Sequence, residues 1–211
     1  MQIDLRVTEL LASRLCHDLV GPIGAVSNGL ELMADESFGM ADDALALASN
    51  SAGQATHLLQ FYRLAYGMAG NRQGSDLKPL RELAANFLAH SKAKLDWPAD
   101  AMPSDLPDGI GKLILNMIAL ALEALPRGGT IGVAVTSVPG GAEIEIKAVG
   151  ADAGLRPESQ AALSPQVRID ELTPRNVHGY FTRLIAENLG ASLLVEPAGP
   201  GYLRLISSRI G

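Results

Sequence analysis

Between residues 3 and 66 apolar side chains recur at intervals of three and four, with one proline and little clustering of β-branched residues. That spacing predicts two long helices. Asp35-Glu36-Ser37-Phe38-Gly39-Met40 interrupts the pattern with an acidic pair, a serine and a glycine, the composition of a tight connection in a helical hairpin. Residues 67–76, GMAGNRQGSD, are glycine-rich and polar and predict a linker. Beyond it the period alternates. Helices are expected near 80–90 and 107–125 and a short strand at 94–97; strands at 130–137 and 142–149 flank Pro139-Gly140-Gly141 and must be antiparallel. A loop, a helix ending near Leu189 and a strand pair at 191–196 and 202–207 close the chain. The expected fold class is α+β, with a helical hairpin over residues 1–68 and an α/β sandwich over 77–211. Two antiparallel helices expose too much apolar surface to stand alone, so either the second half or a second copy of the chain must cover them. A homodimeric four-helix bundle is the economical arrangement.

With Leu15 at zero on a wheel of about 100° per residue, Leu19, Pro22, Val26, Leu30 and Met33 fall within about 60° and form the expected buried stripe. His17 falls opposite, at about 200°, with Gly21, Gly24 and Asn28 within about 40° of it. Glycines inside a helix cost about 1 kcal/mol each relative to alanine, so two beside one histidine suggest close approach by another protein. Pro22 lacks the N–H that would bond the Asp18 carbonyl, and a kink is expected just past His17. Arg14, at about 260°, is placed to meet phosphate or an acidic pocket, a solvated arginine being the alternative. Asp18 is adjacent to His17, and because neighbours on a helix do not face each other, its expected role is orientation or proton handling without a direct hydrogen bond.

Composition narrows the classes. A hydrophobic share of 47% over 211 residues allows a sizeable core, and a net charge of −6 gives no basic field for nucleic acid. No apolar run reaches the roughly 18 residues that span a bilayer, and the N-terminus does not read as a signal peptide, so a soluble cytoplasmic protein is expected. Cys16 alone excludes an internal disulfide. His57, His90 and His178 lack the spacing of a metal pair and are expected to be solvated or structural.

His17-Asp18-Leu19-Val20-Gly21-Pro22 resembles the H-box of histidine kinases, in which a phosphoacceptor histidine is followed by an acid and, five positions on, by proline. The longer run RLCHDLVGPIGAVSNGLEL (14–32) and FYRLAYG (61–67) are similar to the ChpT family of histidine phosphotransferases, and the likeness runs over essentially the whole chain. It implies a homodimer with a central four-helix bundle and C-terminal domains shaped like a kinase ATP-binding domain. It implies phosphate arriving from the receiver domain of a CckA-like hybrid histidine kinase and leaving to CtrA-like and CpdR-like response regulators. Catalytic roles then go to His17 and Asp18, and the receiver-docking surface to Arg14, Gly21, Pro22, Gly24 and Asn28.

The resemblance also shows departures. Residues 116–131, NMIALALEALPRGGTI, are similar to the kinase N-box, but Leu120 stands where a second asparagine helps hold magnesium, and leucine offers no oxygen to a hard cation. Gly150-Ala151-Asp152-Ala153-Gly154 lacks the acid expected against adenine, and Asn176-Val177-His178 replaces a Gly-x-Gly phosphate loop. No ATP, no metal and no other bound cofactor is therefore expected, magnesium coming with the partner receiver. The expected function is phosphoryl transfer between receiver aspartates through His17; the alternatives are an ATP-dependent histidine kinase core and a non-catalytic scaffold for receivers.

Overall fold

The computed structural model describes residues 4–34, 41–68, 77–98, 103, 106–139, 141–197 and 199–210. The connection at 35–40, residues 69–76 of the expected linker, and Gly140 of the expected turn lie outside them.

Helices α1 (Leu5–Ala34) and α2 (Ala41–Ala65) form the hairpin. After α3 (Lys78–Leu88) come β1 (Ala93–Asp96), α4 (Ile110–Glu123), β2 (Gly129–Val138), β3 (Gly141–Val149), α5 (Pro157–Ala162), α6 (Val177–Asn188), β4 (Ser192–Pro197) and β5 (Tyr202–Ile210). The five strands make one sheet in the order β1-β2-β3-β5-β4, parallel between β1 and β2 and antiparallel elsewhere. The class is α+β, as the alternating periods predict. Strand alternation turns Ile131, Val133 and Val135 of β2 and Ala142, Ile144, Ile146 and Ala148 of β3 inward. Glu145, Lys147 and Arg204 lie on the opposite face, where Lys147 and Arg204 pair with Glu145. Helices therefore cover one face only.

α4 is buried around its circumference, as expected of a helix apolar on all sides. It packs on β2, β3 and β5 and also meets α2, α3 and α6. The core then continues into the hairpin through Phe61, Tyr62 and Ala65 of α2, where Phe61 stacks on Phe87 of α3 with centroids 3.8 Å apart. A second cluster forms where Val7 near the start of α1 is covered by Ala162, Leu172 and Val177. Arg6 reinforces it by donating from Nε to the Ile169 carbonyl (3.1 Å) and from Nη2 to that of Leu172 (3.2 Å). Both ends of the path to His17 are thus held by the C-terminal half.

Two expectations about local structure change. The stretch between β3 and α6 contains α5 and a 3-10 turn at Ile169–Glu171, elements too short to leave a period in the sequence. Pro157 opens α5 at a position where its missing N–H costs nothing. On α1, Leu19 and Pro22 are buried and Leu15, Val26 and Met33 half-buried, but Leu30 is 55% exposed and Gly29 takes the buried position. The reason is close helix approach: a Cβ at Gly29 would lie 2.9 Å from both the Ala44 carbonyl oxygen and the Ala48 Cβ. Small residues at 29, 44 and 48 bring the backbones together and turn Leu30 outward. α1 is helical through Pro22 without interruption.

Gly29→Leu should therefore lower stability by about 1–3 kcal/mol through overpacking. Gly24→Ala, with nothing within 4 Å of the added carbon, should raise it by up to about 1 kcal/mol through helix propensity. Urea denaturation of the two variants checks both signs.

Candidate functional site

His17 stands on the solvent side of α1 with its side chain 87% exposed. The expectation for Asp18 is corrected here: its Oδ1 lies 3.3 Å from His17 Nδ1. The exposed ring has no packing to hold it off the helix and swings along the surface to meet its neighbour. A proton on Nδ1 would let Asp18 accept there and would leave the lone pair on Nε2. The other oxygen of Asp18 accepts from the Tyr62 hydroxyl on α2 at 2.5 Å.

Arg14 does not point to solvent. Its Nη2 donates to Glu123 Oε1 at the end of α4 (2.6 Å), and its Nε is 4.0 Å from Asp18 Oδ2. Burial alone would lower its pKa, but Glu123, with Tyr66, Tyr62 and Asp18, raises it above the ordinary arginine value. Glu123 also faces His178 Nδ1 at 2.9 Å, and His178 Nε2 lies 3.2 Å from Asn116 Oδ1. Asn116 Nδ2 donates to the carbonyls of Ala65 and Lys112, both at 2.7 Å, which fixes the amide orientation. Lys112 Nζ reaches the Tyr66 and Gly67 carbonyls at 3.3 and 3.1 Å. The chain Arg14–Glu123–His178–Asn116 thus runs from α1 through α4 and α6 back to the end of α2.

His178 has 0% exposure and faces an acceptor at each nitrogen. The doubly protonated ring would satisfy both, but burial disfavours its charge and holds the pKa below the ordinary histidine value. Burial pushes Glu123 the opposite way, upward, yet the contacts to His178 and Arg14 outweigh it and keep the carboxyl below its usual range. His178 is the residue here whose importance the sequence concealed, since a lone histidine carries no spacing signal.

In front of His17 opens a cleft of about 830 Å³. α1 contributes Ser13, Arg14, His17 and Asp18; the facing wall comes from α5, the 3-10 turn and the residues before α6, with Arg156, Glu158 and Arg175 among them. Gly21 and Gly24 lie bare on the surface, with nothing within 4 Å of where a Cβ would stand, and Asn28 is exposed beside them. Pro22 is buried, which removes it from the expected docking surface.

The residues matching the kinase nucleotide positions do not fit magnesium and ATP. Leu120 is fully buried in the core, the Asn116 amide is consumed by protein partners, and His178 is buried between Glu123 and Asn116. Asp152 adopts a left-handed conformation (φ 59°) and pairs with Arg127 at 3.1 Å. His57 and His90 meet with ring centroids 5.6 Å apart. Among the described residues, no group of three or more His, Cys, Asp or Glu is arranged to hold a metal ion.

A family model described as the histidine phosphotransferase C-terminal domain matches residues 77–201. The chain is 33% identical over 191 residues to the protein phosphotransferase ChpT of Brucella abortus (strain 2308), covering 89% of this chain and 88% of that protein. A solved bacterial phosphotransferase superposes with a TM-score of 0.83 at 29% identity, over 99% of this chain and 98% of the other. The histidine kinase AdeS of Acinetobacter baumannii matches with a TM-score of 0.50 at 16% identity, over 90% of this chain and 95% of the other, a likeness of fold alone.

Glu123→Gln leaves Arg14 without its anion and should cost about 2–3 kcal/mol, below the range for fully enclosed pairs because both side chains keep some solvent contact. His178 adds a pH dependence. The unfolded histidine takes up a proton near its reference pKa of about 6.5 while the buried ring does not. Its contribution is therefore intact above that pH and declines as pH falls through it, by up to about 1.4 kcal/mol per pH unit. Below about pH 4.5 protonation of Glu123 adds a second loss of the same sign. Denaturant midpoints between pH 8 and pH 4, compared with those of His178→Gln, test the first component.

Proposed function

The chain belongs to the histidine phosphotransferase family, and from that premise we propose that His17 is the residue that carries the phosphoryl group. One observation supports this above the others: an almost fully exposed imidazole, with Nδ1 occupied by a carboxylate and Nε2 free, borders the cleft of about 830 Å³. In the first step Nε2 attacks the phosphorus of a receiver aspartyl phosphate. An N–P bond forms, the P–O bond breaks, and the carboxylate leaves with its electron pair. Nδ1 keeps its proton, and the adjacent Asp18 carboxylate offsets the positive charge on the ring. In the second step another receiver's aspartate attacks the same phosphorus and the imidazole leaves as the neutral base. The charge spread over three phosphoryl oxygens is met by the receiver's magnesium, so this chain mainly positions a nucleophile.

The partners in this reading are the receiver domain of a CckA-like hybrid kinase as donor and CtrA-like or CpdR-like regulators as acceptors, in the cytoplasm. They dock over His17, Gly21, Gly24 and Asn28, where bare helix backbone allows close approach, with the far wall of the cleft beside them. Arg14 supports this face from behind rather than touching phosphate. No ATP is used, because the residues at the nucleotide positions are committed to internal contacts. A second apolar stripe supports a homodimer: Val20, Ile23 and Leu30 on α1 and Leu45 and Leu59 on α2 are exposed. On α1 these lie at about 60–140° on the wheel, between the buried face and His17, as a four-helix bundle between two copies requires.

Mixing the protein with a phosphorylated receiver should place an acid-labile, base-stable phosphate on His17, and His17→Ala should carry none while keeping its fold. Phosphate on the variant would refute the assignment. Self-labelling from ATP and magnesium without any receiver would favour a kinase core instead. For the dimer, Ile23→Glu with Leu30→Glu should give monomers by sedimentation velocity.

A further inference from the structure

Tyr62 is 5% exposed and lies deep in the hairpin, among aromatic rings. Its ring stacks on Tyr66 (centroids 4.9 Å, 21° between planes) and meets Phe61 and Phe87 edge-on at 5.9 and 6.5 Å. Packing alone would be served by phenylalanine, as at 61 and 87. The hydroxyl's hydrogen bond is the one it donates to Asp18 Oδ2. A buried hydroxyl needs a partner, but this partner is the carboxylate that touches His17. Arg14 Nε, at 4.0 Å from the same oxygen, is too distant to share that work by hydrogen bonding.

A carboxylate on a helix surface rotates freely about its terminal torsions unless something holds it. Asp18 Oδ2 is held by a hydrogen bond from a phenol anchored on the other helix of the hairpin, with the Arg14 guanidinium at ion-pair distance from the same oxygen. With Oδ2 fixed there, Oδ1 is directed at His17 Nδ1. Burial, followed by Tyr66 and Asp18 itself, raises the Tyr62 pKa above the usual tyrosine range, so the hydroxyl remains a proton donor throughout the physiological range.

We propose that Tyr62 is a positioning residue for phosphoryl transfer: through Asp18 it holds His17 in the tautomer with Nδ1 protonated and Nε2 free to attack phosphorus. The inference rests on the reading of His17 as the phosphoacceptor. The tyrosine touches neither phosphate nor receiver. Its proton stays on oxygen in both steps, and the imidazole proton stays on Nδ1 shared with Asp18.

The test uses the full-length protein with ¹⁵N-labelled histidine and a receiver domain charged with acetyl phosphate. In the unaltered protein the ¹⁵N shifts of His17 should report the Nδ1–H tautomer; a dominant Nε2–H tautomer there overturns the proposal without any variant. Tyr62→Phe keeps the ring and its stacking. It should shift His17 towards a mixture of tautomers and slow single-turnover acceptance of phosphate by about 10-fold or more, as expected when a reacting group loses its orientation. The label should still reach His17. Combining Tyr62→Phe with Asp18→Asn should slow transfer no further than Asp18→Asn alone, because the two residues act as one unit. A purely structural tyrosine would lower the denaturation midpoint while leaving the tautomer and the rate unchanged, and that result overturns the proposal. Phosphate found on a residue other than His17 overturns the phosphoacceptor reading and this inference together. Phosphate on His17 with no effect of Tyr62→Phe overturns this inference alone.

Discussion

The geometry around His17 depends on a half-buried ion pair. Arg14 and Glu123 meet at 2.6 Å between α1 and α4, and neither would be stable there unpaired. Because Arg14 lies one turn before His17, fixing it to α4 fixes where the histidine stands relative to the C-terminal half. Glu123 passes the constraint on: its carboxylate also takes His178, whose other nitrogen faces the Asn116 amide, which donates to the carbonyl at the end of α2. Four side chains from three helices thereby specify one arrangement of hairpin against sheet. Apolar packing through Phe61, Tyr62 and α4 supplies the burial but is non-directional. The polar chain chooses the register.

Most of the fold was legible because most of it is periodic. α1, α2 and α4 run for many turns, and β2 and β3 alternate cleanly on either side of a glycine turn, so their types follow from pattern. α5 and the 3-10 turn at 169–171 escaped because a single turn of helix has no period, yet they build the wall facing His17. The wheel identified the exposed histidine and the bare glycines beside it. It misplaced Leu30, since a wheel treats every position on the inner face alike while real helices approach most closely where side chains are smallest. It also left Arg14 facing outward, because only the fold brings Glu123 within reach from more than a hundred residues away.

Asp18 and Tyr62 illustrate a different limit. Adjacent residues on a helix diverge by about 100°, so the direct contact between His17 and Asp18 depends on an exposed ring choosing a rotamer along the helix. No spacing rule contains that choice. Tyr62 is further hidden, since 44 positions separate it from Asp18 and its surroundings in the chain, Phe61 and Tyr66, read as ordinary core. Long-range polar contacts in a mostly apolar region are invisible to periodicity by construction.

The positions that resemble a nucleotide site are occupied by internal contacts. Leu120 is core, and Asn116 and His178 are links in the chain that locks α4 and α6 to the hairpin. A site that must admit a triphosphate needs open space and unsatisfied donors; the same positions filled and satisfied give a fixed wall. For a phosphotransferase, a fixed wall has a physical advantage. Little conformational entropy is lost when another protein docks on a surface that is already fixed. The filled positions on α4 and α6 and the fixed placement of the hairpin are thus two consequences of one set of side chains.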